Sequence, residues 1–160
     1  MRGLHNIVRL MRRAAFAALL SLAGAVAVAA ATRVVPVPST GDTIPDPSAW
    51  QYVITGQIEA FRRGDARAAM GYAGSMFKRR FHDPTVFMMS IAAAGYAPIF
   101  TSTSHSFGKF VQPDPKTAVQ VVEFIGAKQE LYEAIYAVSK EAEGWRVEGV
   151  QLMKLDGIAA

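Results

Sequence analysis

The 160-residue sequence contains no cysteine. This absence excludes disulfide bonds, a thiolate nucleophile, a cysteine-ligated metal and a lipid-anchored N-terminal cysteine. Packing alone must therefore stabilise the fold. The sequence also lacks a P-loop, a dinucleotide-binding G-x-G-x-x-G, a nucleophile-elbow G-x-S-x-G and an H-E-x-x-H pattern, so none of these common catalytic motifs is available. We expect no metal and no cofactor.

The excess of positive charge is confined to the start of the chain. Of 17 Lys and Arg residues, set against 13 Asp and Glu, four arginines precede Ala14, and residues 14–31 read AAFAALLSLAGAVAVAAA without a charge. A basic start, an apolar run and small residues at its end are typical of a secretory signal peptide, here residues 1–31. The alternative is an uncleaved membrane anchor. We therefore predict export to the periplasm or the exterior, with membrane contact only through this segment if it stays uncleaved.

A second basic stretch, Phe61 to Asp83, places six Lys and Arg residues and His82 in a short span. Without the first 31 residues the formal charges balance, which argues against a nucleic-acid partner. We predict that these bases form a solvated rim of the helices, the alternative being a surface for an anion or a protein. His82 is interpreted as a surface or capping residue, and Asp65 as a helix N-cap.

The order of patterns predicts one folded domain. Residues 32–48 are a proline-rich linker, residues 49–155 a single domain and residues 156–160 a tail. The linker should be extended, because its prolines interrupt any helical or strand period.

Helical patterns fill the first half of the domain. A first helix is predicted to end at Gly64. It starts either at Ser48, through a capping box with Gln51, or at Asp46. A second should end at Gly74, with a further turn capped by Ser75. A third, starting at Asp83-Pro84 and ending at Gly95, is apolar nearly all round, which predicts burial on more than one side.

Strand patterns fill the second half of the domain. They read IFTSTSHSFGKFV, TAVQVVEFIG, ELYEAIYAVSK and GWRVEGVQLMKL, with turns near Gly126 and Gly144. In the last strand, alternation places Trp145, Val147 and Met153 on one face. The fold class is therefore α+β, with N-terminal helices packed on one face of a curved antiparallel sheet of about four strands.

Three segments carry a resemblance to a known family: VITGQIEAFRRGDARAAM, FHDPTVF and AIYAVSKEAEGWRVEGVQLMKL. Together, over Ala49 to Lys154, they resemble an exported bacterial family known only as a domain of unknown function. The resemblance implies the cone-shaped α+β fold of nuclear transport factor two and the SnoaL-like proteins. That family has no assigned chemistry. Proteins of the wider fold are either small enzymes or binding and dimerisation modules, so the fold does not decide the function.

Three titratable residues are candidates for catalysis. His105 would serve as a general base if Glu123 or Glu133 faced it across the sheet, because a base needs an orienting partner. Alternation with Val121 and Ile125 predicts an inward or interface position for Glu123. Without such a pairing, His105 is an ordinary strand residue.

Aromatic and methionine residues are candidates for a ligand pocket, the alternative being that they simply form the core. The pocket candidates are Met70, Phe77, Phe87, Met88, Tyr96, Tyr132, Tyr136 and Trp145. The favoured function is a non-catalytic module that binds a small apolar ligand or a protein. A second copy of the chain, bound through the sheet as a homodimer, is one such protein partner. The alternative is a cofactor-free isomerase or hydro-lyase of the SnoaL-like kind.

Overall fold

The structure, a computed structural model, describes residues 46–155. The predicted signal peptide, nearly all of the linker and the tail lie outside these residues. The helices are α1 (Ser48–Arg62), α2 (Ala66–Tyr72), α3 (Ser75–Arg80), α4 (Pro84–Ile91), a π-helical turn (Ala92–Tyr96) and α5 (Ala97–Thr101). The strands are β1 (Ser104–Asp114), β2 (Thr117–Ile125), β3 (Leu131–Glu141) and β4 (Gly144–Lys154).

The strands form one antiparallel sheet in the order β1-β2-β3-β4. Each strand pairs with its sequence neighbour, as short hairpin connections dictate. Register shifts interrupt the pairing of β1 after Phe107 and of β4 at Glu148, and such bulges bend and twist a strand. Helices followed by a curved four-stranded antiparallel sheet confirm the predicted α+β class.

The first helix starts differently from the predicted capping box. The carboxylate of Asp46 accepts hydrogen bonds from the backbone N–H and the hydroxyl of Ser48, both at 2.9 Å. Gln51 does not reach back to the cap, because its Nε2 donates to Gln120 Oε1 on β2. At the other end the prediction is confirmed: Gly64 has φ +68°, and Asp65 caps α2 by accepting from Ala68 N at 2.9 Å.

Gly74 was predicted to end the second helix, but α2 already ends at Tyr72. Gly74 instead precedes α3, and its N–H donates to Val147 O on β4 at 2.8 Å. A Cβ at this position would collide with the carboxylate of Glu148. The glycine therefore allows the chain to approach the edge of the sheet closely, and Ser75 is the first residue of α3 rather than its cap.

The third predicted helix starts as expected, with the Asp83 carboxylate accepting from Thr85 N and Val86 N. Its predicted burial on several sides is wrong. Phe87 is buried, but Val86 and Met89 are 53% and 66% exposed. The helical run Pro84–Thr101 is apolar enough, at a mean hydropathy of 1.3, to pass as a membrane span by length and composition.

Gly95 breaks the continuous helix, as predicted, because its backbone is not helical and the chain kinks there. It lies inside the π-helical turn with φ +98°, a conformation that a glycine adopts at little cost. The chain then continues into α5, where the alternating sequence predicted a strand. The first strand therefore begins only at Ser104.

The core lies between the helices and the inner face of the sheet. Trp50 at the start of α1 contacts Phe110 and Trp145 edge to face, with centroid distances of 5.4 and 5.2 Å. Trp145 and Val147 share this face as predicted. Met153 does not, because it pairs with Glu133 beyond the bulge at Glu148 and lies on the outer face.

Candidate functional site

An apolar cavity of about 200 Å³ lies between the helices and β4. Several of its wall residues are only half-buried, so the cavity reaches the surface. It is lined by Gln57, Phe61, Phe77, Phe87, Ile91, Tyr96, Ile99, Val147, Gly149 and Val150.

Aromatic rings form one wall of this cavity. Phe87 is 2% exposed and stacks on Phe61 of α1 at a centroid distance of 6.2 Å. Phe77 meets Phe87 edge to face at 5.9 Å. These pairings hold the rings in fixed positions, because aromatic side chains favour offset and edge-to-face geometries. The wall is therefore preformed.

Three of the predicted pocket residues, Phe77, Phe87 and Tyr96, line the cavity. The others lie elsewhere. Tyr136 and Trp145 are buried in the core, and Met70 and Met88 pack against it. Tyr132 lines a second depression, of about 450 Å³, at the ends of β1, β2 and β3.

Two polar side chains line the cavity. The Tyr96 hydroxyl donates its proton to Val150 O at 2.7 Å, so this proton is not free to bind a ligand. Gln57 is 3% exposed, and its Nε2 donates to Ala69 O at 3.2 Å. Sequence reasoning missed Gln57, although it interrupts the apolar stripe of α1 between Ile54 and Phe61. A polar residue on an apolar stripe needs a partner or a function.

No hydrogen bond joins the three candidate catalytic residues, although His105 and Glu123 both line the depression at the ends of β1, β2 and β3. His105 pairs across the sheet with Phe124, whereas Glu123 pairs with Ser106 and Glu133. Adjacent residues of a strand point to opposite faces, so both carboxylates lie on the face opposite to His105. The expected inward position of Glu123 is wrong as well, because this side chain is exposed.

His105 contacts the first helix instead. Its Nε2 lies 3.2 Å from the Thr55 hydroxyl, and its ring meets Phe107 edge to face. Burial, and then the positive charge of Arg62, lower the pKa of His105 below its ordinary value, while Glu59 opposes this shift. His105 is thus held towards its neutral form beside α1.

Arg62 departs from the predicted solvated rim. Its guanidinium binds Glu59 at 2.7 Å and donates to the Ser102 hydroxyl from both Nε and Nη2. Only 16% of its side chain is exposed, so this arginine joins α1 to the end of α5. Four of the remaining bases fit a rim, since Arg63, Arg67, Arg79 and Arg80 are exposed, whereas Lys78 is half-buried.

Within residues 46–155, no group of three or more His, Asp and Glu side chains is placed to hold a metal ion. The cavity walls among these residues also carry neither a carboxylate nor a histidine. The geometry therefore suits binding of an apolar molecule better than proton transfer.

Residues 44–160 match the family model described as Domain of unknown function (DUF4864). The chain belongs to this family. The DUF4864 match confirms the resemblance inferred from the sequence, since it spans the helices and the sheet. No curated protein matches the chain.

One solved structure shows the fold of the DUF4864 chain. A domain of unknown function with a cystatin-like fold from Nostoc punctiforme superposes with a TM-score of 0.51 at 15% identity, over 72% of this chain and 81% of that one. An NTF-2 like protein of unknown function from Silicibacter pomeroyi has a TM-score of 0.45 at 14% identity, with 68% and 94% of the two chains covered. At these identities, the Nostoc punctiforme match shows the fold alone.

Proposed function

We propose that this protein is a non-catalytic binding module for a small apolar ligand, held in the cavity between the helices and β4. The observation that carries the proposal is the composition of the wall. Phenylalanine, isoleucine and valine side chains supply nearly all of it, and the two polar side chains that line it are Gln57 and Tyr96. Ligand sites in proteins are typically apolar with a few placed polar groups.

The size of the cavity limits the ligand. A dry apolar cavity of about 150 Å³ accepts benzene, so the cavity of about 200 Å³ suits a benzene ring with one or two small substituents. A short alkyl chain fits the same space. Larger ligands would need to extend out of the cavity on its open side, since several wall residues, Ile91 and Tyr96 among them, are only half-buried.

Titration with three small probes, p-xylene, p-cresol and 1-hexanol, tests the proposal. Binding is followed by saturation-transfer NMR and by the shift of the thermal melting temperature. The variant Ile91→Trp places a larger side chain in the cavity wall and should abolish binding. The matched control is Met89→Trp on the same helix, because Met89 is 66% exposed and does not line the cavity.

Two results contradict the proposal. One is that none of the three probes binds up to its solubility limit. The other is that Ile91→Trp, shown to be folded by its melting curve, binds the probes as well as Met89→Trp does.

A further inference from the structure

We infer that the side-chain oxygen of Gln57 is a hydrogen-bond acceptor that selects ligands carrying a hydroxyl or N–H donor. The inference rests on the proposed function, and it adds a chemical class to the ligand. It is carried by the position of Gln57 in the cavity wall and by the one hydrogen bond that its amide makes.

The orientation of the Gln57 amide is fixed by its partner. The carbonyl oxygen of Ala69 can only accept a hydrogen bond, so the NH₂ end of the amide must face it. This carbonyl needs a side-chain donor, because Ala73 N, four residues on, donates to Met70 O instead. Gln57 Oε1 consequently lies at the free end of the amide, in a residue that lines the cavity.

Gln57 Oε1 accepts no hydrogen bond from the described residues, although the residue is only 3% exposed. The oxygen is not among the fully buried unpaired atoms, so it keeps a small accessible surface that a ligand filling the cavity would cover. The other polar side chain of the wall cannot supply a donor, because the Tyr96 hydroxyl proton is given to Val150 O. Leaving a buried acceptor unpaired is costly. A donor on the ligand would satisfy this oxygen, and a purely apolar ligand would not.

The pair p-cresol and p-xylene isolates this effect, since a hydroxyl replaces a methyl group of similar size. A wholly apolar cavity would favour p-xylene, because burying an unpaired hydroxyl is unfavourable. A cavity with an unpaired hydrogen-bond acceptor in its wall should instead bind p-cresol more tightly than p-xylene. We expect wild type to bind p-cresol more tightly than p-xylene by about tenfold, the size of one net hydrogen bond.

The variant Gln57→Met keeps the length of the side chain and removes the acceptor. It should lose the preference for p-cresol and bind p-xylene at least as well as p-cresol. Each protein provides its own ratio of two dissociation constants, so a modest loss of stability from the broken bond to Ala69 does not affect the comparison. If Gln57→Met does not fold, the wild-type ratio decides alone.

The outcomes separate the two proposals. Wild-type binding of both probes with equal affinity, or with p-xylene preferred, overturns the role of Gln57 and leaves the cavity as a ligand site. An unchanged preference for p-cresol in folded Gln57→Met also overturns it. Absence of binding by every probe overturns the proposed function, and the selectivity with it.

Discussion

Trp50 and Trp145 meet edge to face across the core, with ring centroids 5.2 Å apart and planes inclined by 62°. One ring belongs to the first helix and the other to the last strand. Both side chains are buried, at 1% and 9% exposure. This contact joins the two ends of the described domain, and it does so without a disulfide.

Truncation of this contact should be severe. Trp145→Ala removes a large apolar side chain and leaves a cavity, at a cost of about 3–5 kcal/mol. A domain of this size has about 5–15 kcal/mol of stability in total, so the variant should be close to unfolding. Urea denaturation followed by circular dichroism measures the loss. Tyr52→Ala is the control, because Tyr52 is 73% exposed; similar midpoints for the two variants would contradict the role of Trp145.

Local signals in the sequence predicted much of the fold. Asp65 and Asp83 both cap helices as expected, because an acidic side chain before a helical pattern can satisfy free N–H groups wherever it occurs. Gly64 has the positive φ that ends a helix. The three later strands also lie where alternating patterns predicted them, since a half-exposed strand leaves a two-residue period in the sequence.

The parts that failed depend on contacts distant in sequence. A bulge at Glu148 moves Met153 to the outer face, and nothing in the local alternation marks it. Whether His105 faces Glu123 depends on the register between β1 and β2. A one-residue difference in register reverses the face. Gln57 was missed for the same reason, because its bond to Ala69 connects two helices.

The exposed arginines of α3 should contribute little to stability. Arg79 donates to Ser75 Oγ at 3.2 Å, and Arg80 lies over the Phe81 ring. Exposed charges of this kind are worth about 1 kcal/mol or less. The double variant Arg79→Ala/Arg80→Ala should therefore melt close to wild type. Arg62→Ala should lose more, because it leaves Ser102 and Glu59 without their guanidinium partner.

The same double variant tests the predicted absence of a nucleic-acid site. Filter binding of a duplex DNA over a series of salt concentrations should show weak binding that the two substitutions leave unchanged. Tight binding with a steep salt dependence, lost in the double variant, would show that the rim is a polyanion surface.

Export remains a prediction from the first 31 residues. Small residues at Ala27 and Ala29, and again at Ala29 and Ala31, mark two cleavage positions. Intact mass spectrometry of the exported protein should give an N-terminus between Ala30 and Thr32. Replacing Ala29 and Ala31 by leucine should block cleavage at both. A full-length, membrane-bound wild-type protein would contradict the prediction.

Removal of the Tyr136 hydroxyl should not destabilise the domain. The residue is fully buried, and its hydroxyl has no hydrogen-bond partner among residues 46–155. Burial raises the pKa of this phenol above its usual range, so the group stays neutral. Tyr136→Phe keeps the ring and removes the unpaired oxygen, so stability should be unchanged or higher by about 1 kcal/mol. A loss above this size in a urea titration would show that the hydroxyl is paired in solution.

Stability should depend on pH through His105. Its pKa in the folded protein lies below the ordinary 6.5, first through burial and then through Arg62, with Glu59 opposing. Between the two values the unfolded chain binds more protons than the folded one. The contribution of neutral His105 is therefore complete above about pH 7 and declines as the pH falls through 6.5 to the lowered pKa.

Melting temperatures measured from pH 8 to pH 5 test this dependence. His105→Gln retains a polar group beside Thr55 but cannot titrate, so its melting temperature should vary less over this range than that of wild type. His82→Gln is the matched control, since His82 is exposed on the short segment before α4. Hydrogen bonds from backbone N–H groups lower the pKa values of the carboxylates Glu130 and Glu141, so the stability that these groups contribute is lost mainly as the pH falls below 4.5. If the dependence of the melting temperature on pH persists in His105→Gln but disappears in His82→Gln, the prediction is contradicted. His82, and not His105, would then be its source.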